Sequence, residues 1–520
     1  MTRRSSIATP QGPAAVRHGL LLPLALAAAC AQATPAPAPT LAAPAAPAPV
    51  AASQAGLAAG LDRLDEALAL RRRPDQLEEV RPTAARAVAE LTAALSAAPD
   101  DPRVAVALDT ARALADWQAL TEAGWSLADA DAESWKQARL AAADALLHLL
   151  DRSSGRLAQT SIVRALILLE SGRGAEATTE LETALLLFPG SAELHEVLRA
   201  NANQLSDPPS LATAAEHAAQ AHADASADCL ATAGALLLAA GIQAETAGDA
   251  DAALAHYERA AADLLAVRAA GRARLSDWTL IRYHGDSLVN AASLHLHRAQ
   301  AQLAESGLEA ARPDLLAAEQ EYGDALALRA DDVDAHDGCA ATADVYYQAG
   351  DLPSVRDAFG RLAERFDDAE WWNNTAFFCR ETKEYERSYS AYERCIALEP
   401  DNARYVNDTA LILLYHLNRD LPHAEELFRR SIELGKAACA NPFIEDDARE
   451  TNFSAYTDAM LNLSLLMARD GRLDEAAATV DELLTLAPDR ADAQHLREQI
   501  QAARGGVPLE GGRQVAPRSP

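Results

Sequence analysis

Small and large apolar residues recur along this chain with the spacing of paired helices. The clearest segment carries Trp372, Thr375-Ala376 and Cys379, followed by Ser388, Tyr392 and Pro400. Positions three and four apart lie on one face of a helix. A small residue allows two helices to approach closely, and large residues fill the space between successive pairs. The segment therefore predicts two helices packed as a hairpin.

The same pattern recurs with a period close to 34 residues. Ala343, Ala376 and Ala410 occupy the small position in three successive copies, 33 and then 34 residues apart. The copy that contains Ala410 has a turn between its helices two residues longer than usual. A second clear copy lies around Leu463-Ser464, and weaker copies lie around Ala165 and around Ala240-Gly241 with Tyr257. Helix pairs of this kind cannot bury their apolar faces alone, so they are expected to stack in a row.

These positions resemble the tetratricopeptide-repeat family over roughly residues 157–500. The resemblance implies an all-α fold, an α-α superhelix of stacked helical hairpins whose concave face binds peptides or protein partners. Asp207-Pro208-Pro209 interrupts the pattern, and we take it as a boundary between arrays. The predicted parts are helical arrays at 56–206, 210–332 and 333–500, the last with an insertion at 435–457 that is either functional or a surface loop.

The first thirty residues predict a targeting segment. Arg3 and Arg4 give a positive start, and an apolar stretch too short to span a bilayer ends at Ala27-Ala28-Ala29-Cys30. This resembles a bacterial lipoprotein signal, which implies cleavage after residue 29 and lipidation of Cys30. The match departs from the family pattern at Ala27, where such signals favour leucine. Plain secretion, with a soluble periplasmic or secreted product, is the alternative to a membrane lipoprotein of the cell envelope that faces the periplasm.

Proline-rich composition predicts the segments at both ends of the folded body. Residues 30–55 contain the lipidation site and six prolines, which favour an extended spacer between an anchor and a folded domain. Residues 501–520 are rich in glycine and proline and are predicted to be a disordered tail.

Charge narrows the possible partners. The chain has 46 Lys+Arg and 76 Asp+Glu, a net charge of −30. Such a surface repels phosphate backbones and anionic lipid headgroups, so we expect no nucleic acid partner and membrane contact through the lipid anchor only.

The first helices of the C-terminal copies carry the candidate partner-binding residues. Their inward-facing positions mix aromatic, amide and arginine side chains, which would suit an extended peptide or a partner helix. They are Tyr347, Asn373, Phe377, Arg380, Asn407, Tyr415 and Arg469. We therefore predict a protein-interaction scaffold or assembly factor.

Motifs that could carry catalysis or bind metal lack their usual context. Gly285-Asp286-Ser287-Leu288 resembles the nucleophile block of a serine esterase family but lies among helices without the later blocks of that family. His284, His295 and His297 could suggest a metal site. His295 and His297 are two residues apart, so they point to different faces of a helix and cannot share an ion; surface or capping roles are expected for all three.

The five cysteines after Cys30 form no Cys-x-x-Cys pair, although a Cys379–Cys395 bridge is possible in an exported protein. We expect no enzyme activity, cofactor or metal. An exported hydrolase with accessory helical repeats is the alternative.

Replacing Cys30 with serine should release the mature protein from the membrane fraction, because acyl chains on Cys30 would supply the binding energy. Cell fractionation measures this, with Cys439→Ser as the control. Unchanged membrane association of Cys30→Ser would exclude the anchor.

Overall fold

The computed structural model describes residues 48–125, 132–151, 157–271 and 274–505, and the regular elements in these ranges are all helices. The predicted signal peptide, Cys30, most of the spacer and nearly all of the tail lie outside the described residues. The structure divides into an N-terminal unit, Ala46–Asp367, and a C-terminal unit whose described part begins at Asp368.

Helices of the N-terminal unit pack in two alternating sets. Each odd-numbered helix contacts the next odd-numbered one from α1 to α13, and each except α7 also packs beside the even-numbered helix that follows it. Helix α8 packs against α6 and α9 instead. This is the arrangement expected of stacked hairpins. The α-helices are α1 (Ala48–Leu70), α2 (Val80–Ala97), α3 (Pro102–Gly124), α4 (Ala132–Asp151), α5 (Ala158–Glu170), α6 (Gly174–Leu187), α7 (Ala192–Ala200), α8 (Pro208–Ala221), α9 (Ser226–Thr246), α10 (Ala250–Ala270), α11 (Asp277–Ser306), α12 (Leu308–Leu328), α13 (Val333–Gln348) and α14 (Leu352–Phe366).

The C-terminal unit repeats this arrangement. Helix α17 contacts α19, and α19 contacts α21, while α16, α18 and α20 pack beside their preceding first helices. Its α-helices are α15 (Ala369–Glu381), α16 (Tyr385–Leu398), α17 (Ala403–Leu411), α18 (Leu421–Ala440), α19 (Asp446–Arg469), α20 (Leu473–Leu486) and α21 (Ala491–Arg504). The predicted all-α fold of TPR-like helical hairpins is confirmed.

Close approach at small residues holds the hairpins together. In the clearest repeat, Ala376 is fully buried, and Ser388 Oγ on the second helix donates a hydrogen bond to its carbonyl oxygen over 2.7 Å. In an earlier repeat, a Cβ added to Gly241 would collide with the ring of Tyr257. Both contacts join the first and second helices that the sequence pattern pairs.

Proline marks helix starts at two predicted boundaries. Asp207 caps α8 by accepting a hydrogen bond from Ser210 N, with Pro208 and Pro209 in the first turn. One hydrophobic core runs from Leu57 to Leu294, across this segment.

Helix α1 already begins at Ala48, so residues 48–55 of the predicted spacer are helical. Proline is tolerated in a first helical turn because no hydrogen bond is lost there.

The extra residues at 435–457 lengthen two helices. They extend α18 to Ala440 and start α19 at Asp446, which leaves a short connection between them. A Cβ at Gly435 would collide with Tyr456, and Arg449 Nη1 donates to the Cys439 carbonyl over 2.8 Å. Close packing of the two helices therefore accounts for the insertion, in place of a surface loop.

The long turn of the Ala410 repeat is a wide helical turn. Residues Ile412–Leu417 continue α17 as a π-helix, and Asn418 and Asp420 follow with φ of 47° and 49°. A π turn accommodates additional residues within a helix, and such turns are frequent at functional sites. We call Ile412–Leu417 the π segment.

Among the described helices, one stretch, Ala223–Thr246, is long and apolar enough to cross a bilayer, and 78% of its most apolar window is buried inside the protein. This burial is typical of a core helix.

Replacing Ala376 with phenylalanine should lower the free energy of unfolding by about 1–3 kcal/mol, because the larger side chain overpacks a close helix contact. Chemical denaturation followed by circular dichroism measures the change. Ala397→Phe at an exposed position of α16 is the matched control. Equal stability of the two variants would mean that Ala376 does not set the helix separation.

Candidate partner-binding face of the C-terminal unit

Helix α15 presents a polar and aromatic stripe. Asn373, Phe377 and Arg380 are spaced four and three residues apart, so they share one helix face beside the buried Ala376 and Cys379. The Arg380 guanidinium lies 4.6 Å from the centroid of the Phe377 ring. Arg380 also pairs with Glu381 at 3.0 Å, and only 10% of its side chain is exposed. The arginine is therefore held in place over the aromatic ring.

A second aromatic–arginine pair lies on the π segment and α19. The Tyr415 hydroxyl donates to Asn462 Oδ1 over 2.8 Å, and Asn462 Nδ2 donates to Asn407 Oδ1 over 3.4 Å. The guanidinium of the exposed Arg469 lies 5.6 Å from the Tyr415 ring centroid. Burial raises the pKa of Tyr415 to about 12, so the phenol stays neutral and donates this hydrogen bond.

Two predicted contact residues have different placements. Asn407 is 1% exposed, so it cannot contact a partner in this arrangement. Its side chain accepts the hydrogen bond from Asn462 instead. Tyr347 is 52% exposed on α13, in the N-terminal unit. The four remaining α15 and α17–α19 positions, Asn373, Phe377, Arg380 and Tyr415, are partly exposed, and Arg469 is exposed.

His416 belongs to this region and was missed in the sequence. Its ring stacks on Tyr385 of α16 with centroids 4.5 Å apart and planes 19° from parallel. Burial lowers the pKa of His416, and the nearby positive charge of Arg380 on α15 lowers it further. The sequence carried no signal for this contact because the π turn shifts His416 out of α-helical register.

Residues considered for other chemistry have structural contacts. Ser287 lies inside α11, is fully buried and donates to the Tyr283 carbonyl over 2.8 Å, so it is not placed as a nucleophile. Cys395 is a buried thiol whose Sγ donates to the Ala369 carbonyl at 3.5 Å and forms no bridge to Cys379. Burial raises the pKa of the Cys395 thiol, which keeps it protonated.

Two histidines assigned to the surface or to capping are in fact buried. His284 is 5% exposed, and burial together with Arg268 lowers its pKa to about 4. His295 is 8% exposed and approaches Glu258 and Glu321, a group whose ligand atoms lie close enough to hold a metal ion. The expected surface role is therefore wrong for both, although His297 is exposed as predicted.

Comparison with known proteins gives solved structures only. No family model matches this sequence, and no curated protein does. The C-terminal part of a TPR repeat-containing protein from Cytophaga hutchinsonii is 13% identical, with 64% of this chain and 98% of that chain covered and a TM-score of 0.30. PilF from Pseudomonas aeruginosa is 19% identical, with 41% and 98% covered and a TM-score of 0.21. The TPR2AB-domain:pHSP90 complex of yeast Sti1 is 16% identical, with 52% and 96% covered and a TM-score of 0.19. Because these TM-scores are low, the fold class rests on the helices described above.

Replacing Tyr415 with phenylalanine should lower the free energy of unfolding by about 1 kcal/mol, because the buried Asn462 oxygen loses its donor. Urea denaturation of the purified protein measures this. Tyr385→Phe is the control, since it keeps the ring that stacks on His416 and its hydroxyl has no hydrogen-bond partner among the described residues. A loss no larger than that of the control would show that the Tyr415–Asn462 bond does not stabilise the π segment.

Proposed function

We propose that the protein is an exported scaffold or assembly factor, anchored by lipid at Cys30, that binds a protein or peptide on the first-helix face of its C-terminal unit. The observation that carries the proposal is the presence of two arginine–aromatic pairs on this face, Phe377–Arg380 and Tyr415–Arg469. We assign the protein a binding role and no catalytic one.

Arginine and aromatic side chains suit this role because they dominate the energetics of protein interfaces. The Arg380 side chain is already held by Phe377 and Glu381, and Tyr415 by Asn462. Side chains that are ordered before binding lose less conformational entropy when a partner arrives. The face therefore supports specific recognition better than a row of freely moving polar residues would.

The chemistry of the face indicates the kind of segment it would accept. Phe377 and Tyr415 offer partly exposed ring surface for apolar side chains. Arg469 offers a cation at an exposed position, which would attract a carboxylate. We therefore propose a peptide or helix that carries both apolar and acidic side chains, laid along the first helices.

The combined substitution Phe377→Ala/Arg380→Ala should weaken partner binding by at least ~2 kcal/mol, about 30-fold in Kd, because it removes one of the two pairs. The partner is first identified by photo-crosslinking in cells from a probe at Asn373. Its Kd is then measured with purified proteins. Circular dichroism and the melting temperature confirm that the variant is folded.

Glu433→Ala on α18 is the control for this binding measurement. Glu433 is exposed on a second helix. Glu386 is less suitable because its carboxylate accepts two hydrogen bonds from Arg419, at 2.8 and 2.7 Å. Undiminished affinity of the folded double variant would refute the proposed face, as would an equal loss in Glu433→Ala.

A further inference from the structure

Three helices of the N-terminal unit bring a histidine and two glutamates together. Glu258 comes from α10, His295 from α11 and Glu321 from α12, and one ligand atom of each lies within 4.8 Å of the other two. The residues are 37 and 26 positions apart in sequence, so only the stacking of the hairpins unites them.

His295 is oriented in the way that metal-binding histidines usually are. The residue is 8% exposed, and Nδ1 donates to Asp314 Oδ1 over 2.6 Å. Asp314 is itself 8% exposed and lies 3.9 Å from Arg298. A carboxylate on one ring nitrogen fixes the tautomer and turns the other nitrogen toward a cation. Here Nε2 faces Glu258 Oε1 at 3.4 Å.

Glu321 supplies a buried acceptor without a partner. Its Oε2 is buried and accepts no hydrogen bond from the described residues. Burial, followed by the charges of Glu258 and Asp324, raises the pKa of Glu321 to about 8. A carboxylate with a buried, unpaired oxygen is unfavourable unless a proton or a cation accompanies it.

We propose that Glu258, His295 and Glu321 bind one divalent transition-metal cation, with Zn²⁺ as the ion that this donor set suits best. Ligand atoms at ~2.05 Å from a tetrahedral zinc ion would be separated by about 3.3 Å. The Nε2–Oε1 distance of 3.4 Å already matches this spacing, and the Glu321 ligand atom lies within 4.8 Å of the other two.

The proposed metal site is open to solvent on one side, and a bound ion would link three helices. The Glu258 side chain is 53% exposed, which gives an ion access from solvent and leaves room for water as a fourth ligand. Asp314 acts as a positioning residue through His295. A bound ion would join α10, α11 and α12, and it would stabilise the folded state over the unfolded chain by mass action.

The test uses the full mature chain without a histidine tag, stripped of metal by a chelator and titrated with Zn²⁺ by calorimetry. One equivalent should bind, and the melting temperature should rise with zinc concentration. His295→Ala should abolish this site. Asp314→Asn should weaken binding by about 10- to 100-fold, the usual effect of losing a carboxylate behind a histidine ligand. Replacement of Zn²⁺ by Co²⁺ should give the visible absorption of a tetrahedral site in the wild type only.

Two further variants separate a loss of zinc binding from a loss of folding. Glu321→Gln removes the carboxylate ligand with little change in side-chain shape, so it should stay folded while losing zinc affinity. His297→Gln, at an exposed position of the same helix, should bind zinc as the wild type does. A His295 imidazolium held by the surrounding carboxylates without metal is the competing arrangement. Absence of stoichiometric binding, or binding that persists in His295→Ala, would overturn the proposal.

Discussion

Close contact between paired helices at small residues is the constraint on which the rest of this structure depends. Cys395 Sγ donates to the Ala369 carbonyl at 3.5 Å, and Ser431 donates to the Ala403 carbonyl over 2.8 Å, so the same contact recurs in successive hairpins. A larger side chain at either alanine would separate the helices. Because neighbouring hairpins within each unit bury apolar surface against one another, one displaced pair would expose surface on its neighbours.

This packing decides which side chains remain available for recognition. Large aromatic residues such as Tyr392 and Phe428 are buried in the core and are 1% and 0% exposed. Phe377 and Tyr415 stay partly exposed because they lie on first helices beside the buried small positions. The neighbouring arginines lie 4.6 and 5.6 Å from the ring centroids, and both aromatic residues stay partly exposed. The face that we propose for partner binding is thus a direct result of how the hairpins bury their cores.

Local pattern predicted the hairpins well, because helix pairing is encoded within one repeat. Ala376, Ser388 and Tyr392 occupy the packed positions that their spacing indicated. The π segment could not be predicted, since the sequence shows only a longer turn and several backbone conformations absorb two residues. The Glu258–His295–Glu321 group could not be predicted either. Its members lie on three helices, and a histidine on a helix face is informative only when the neighbouring helices are placed. Burial of Asn407 was missed for the same reason.

Contacts between neighbouring helices also bear on whether the proposed zinc site and the proposed partner-binding face influence each other. Helices in a solenoid touch their sequence neighbours, so the energy of a ligand is felt mainly in the repeats that contact it. A cation between α10 and α12 would stabilise hairpins of the N-terminal unit, whereas the arginine–aromatic pairs belong to helices after Asp368. Reciprocal coupling between two sites requires an element with two arrangements that both ligands favour unequally. Because the two proposed sites lie in different repeats of different units, we expect the proposed metal binding and the proposed partner binding to be independent, and each has its own measurement.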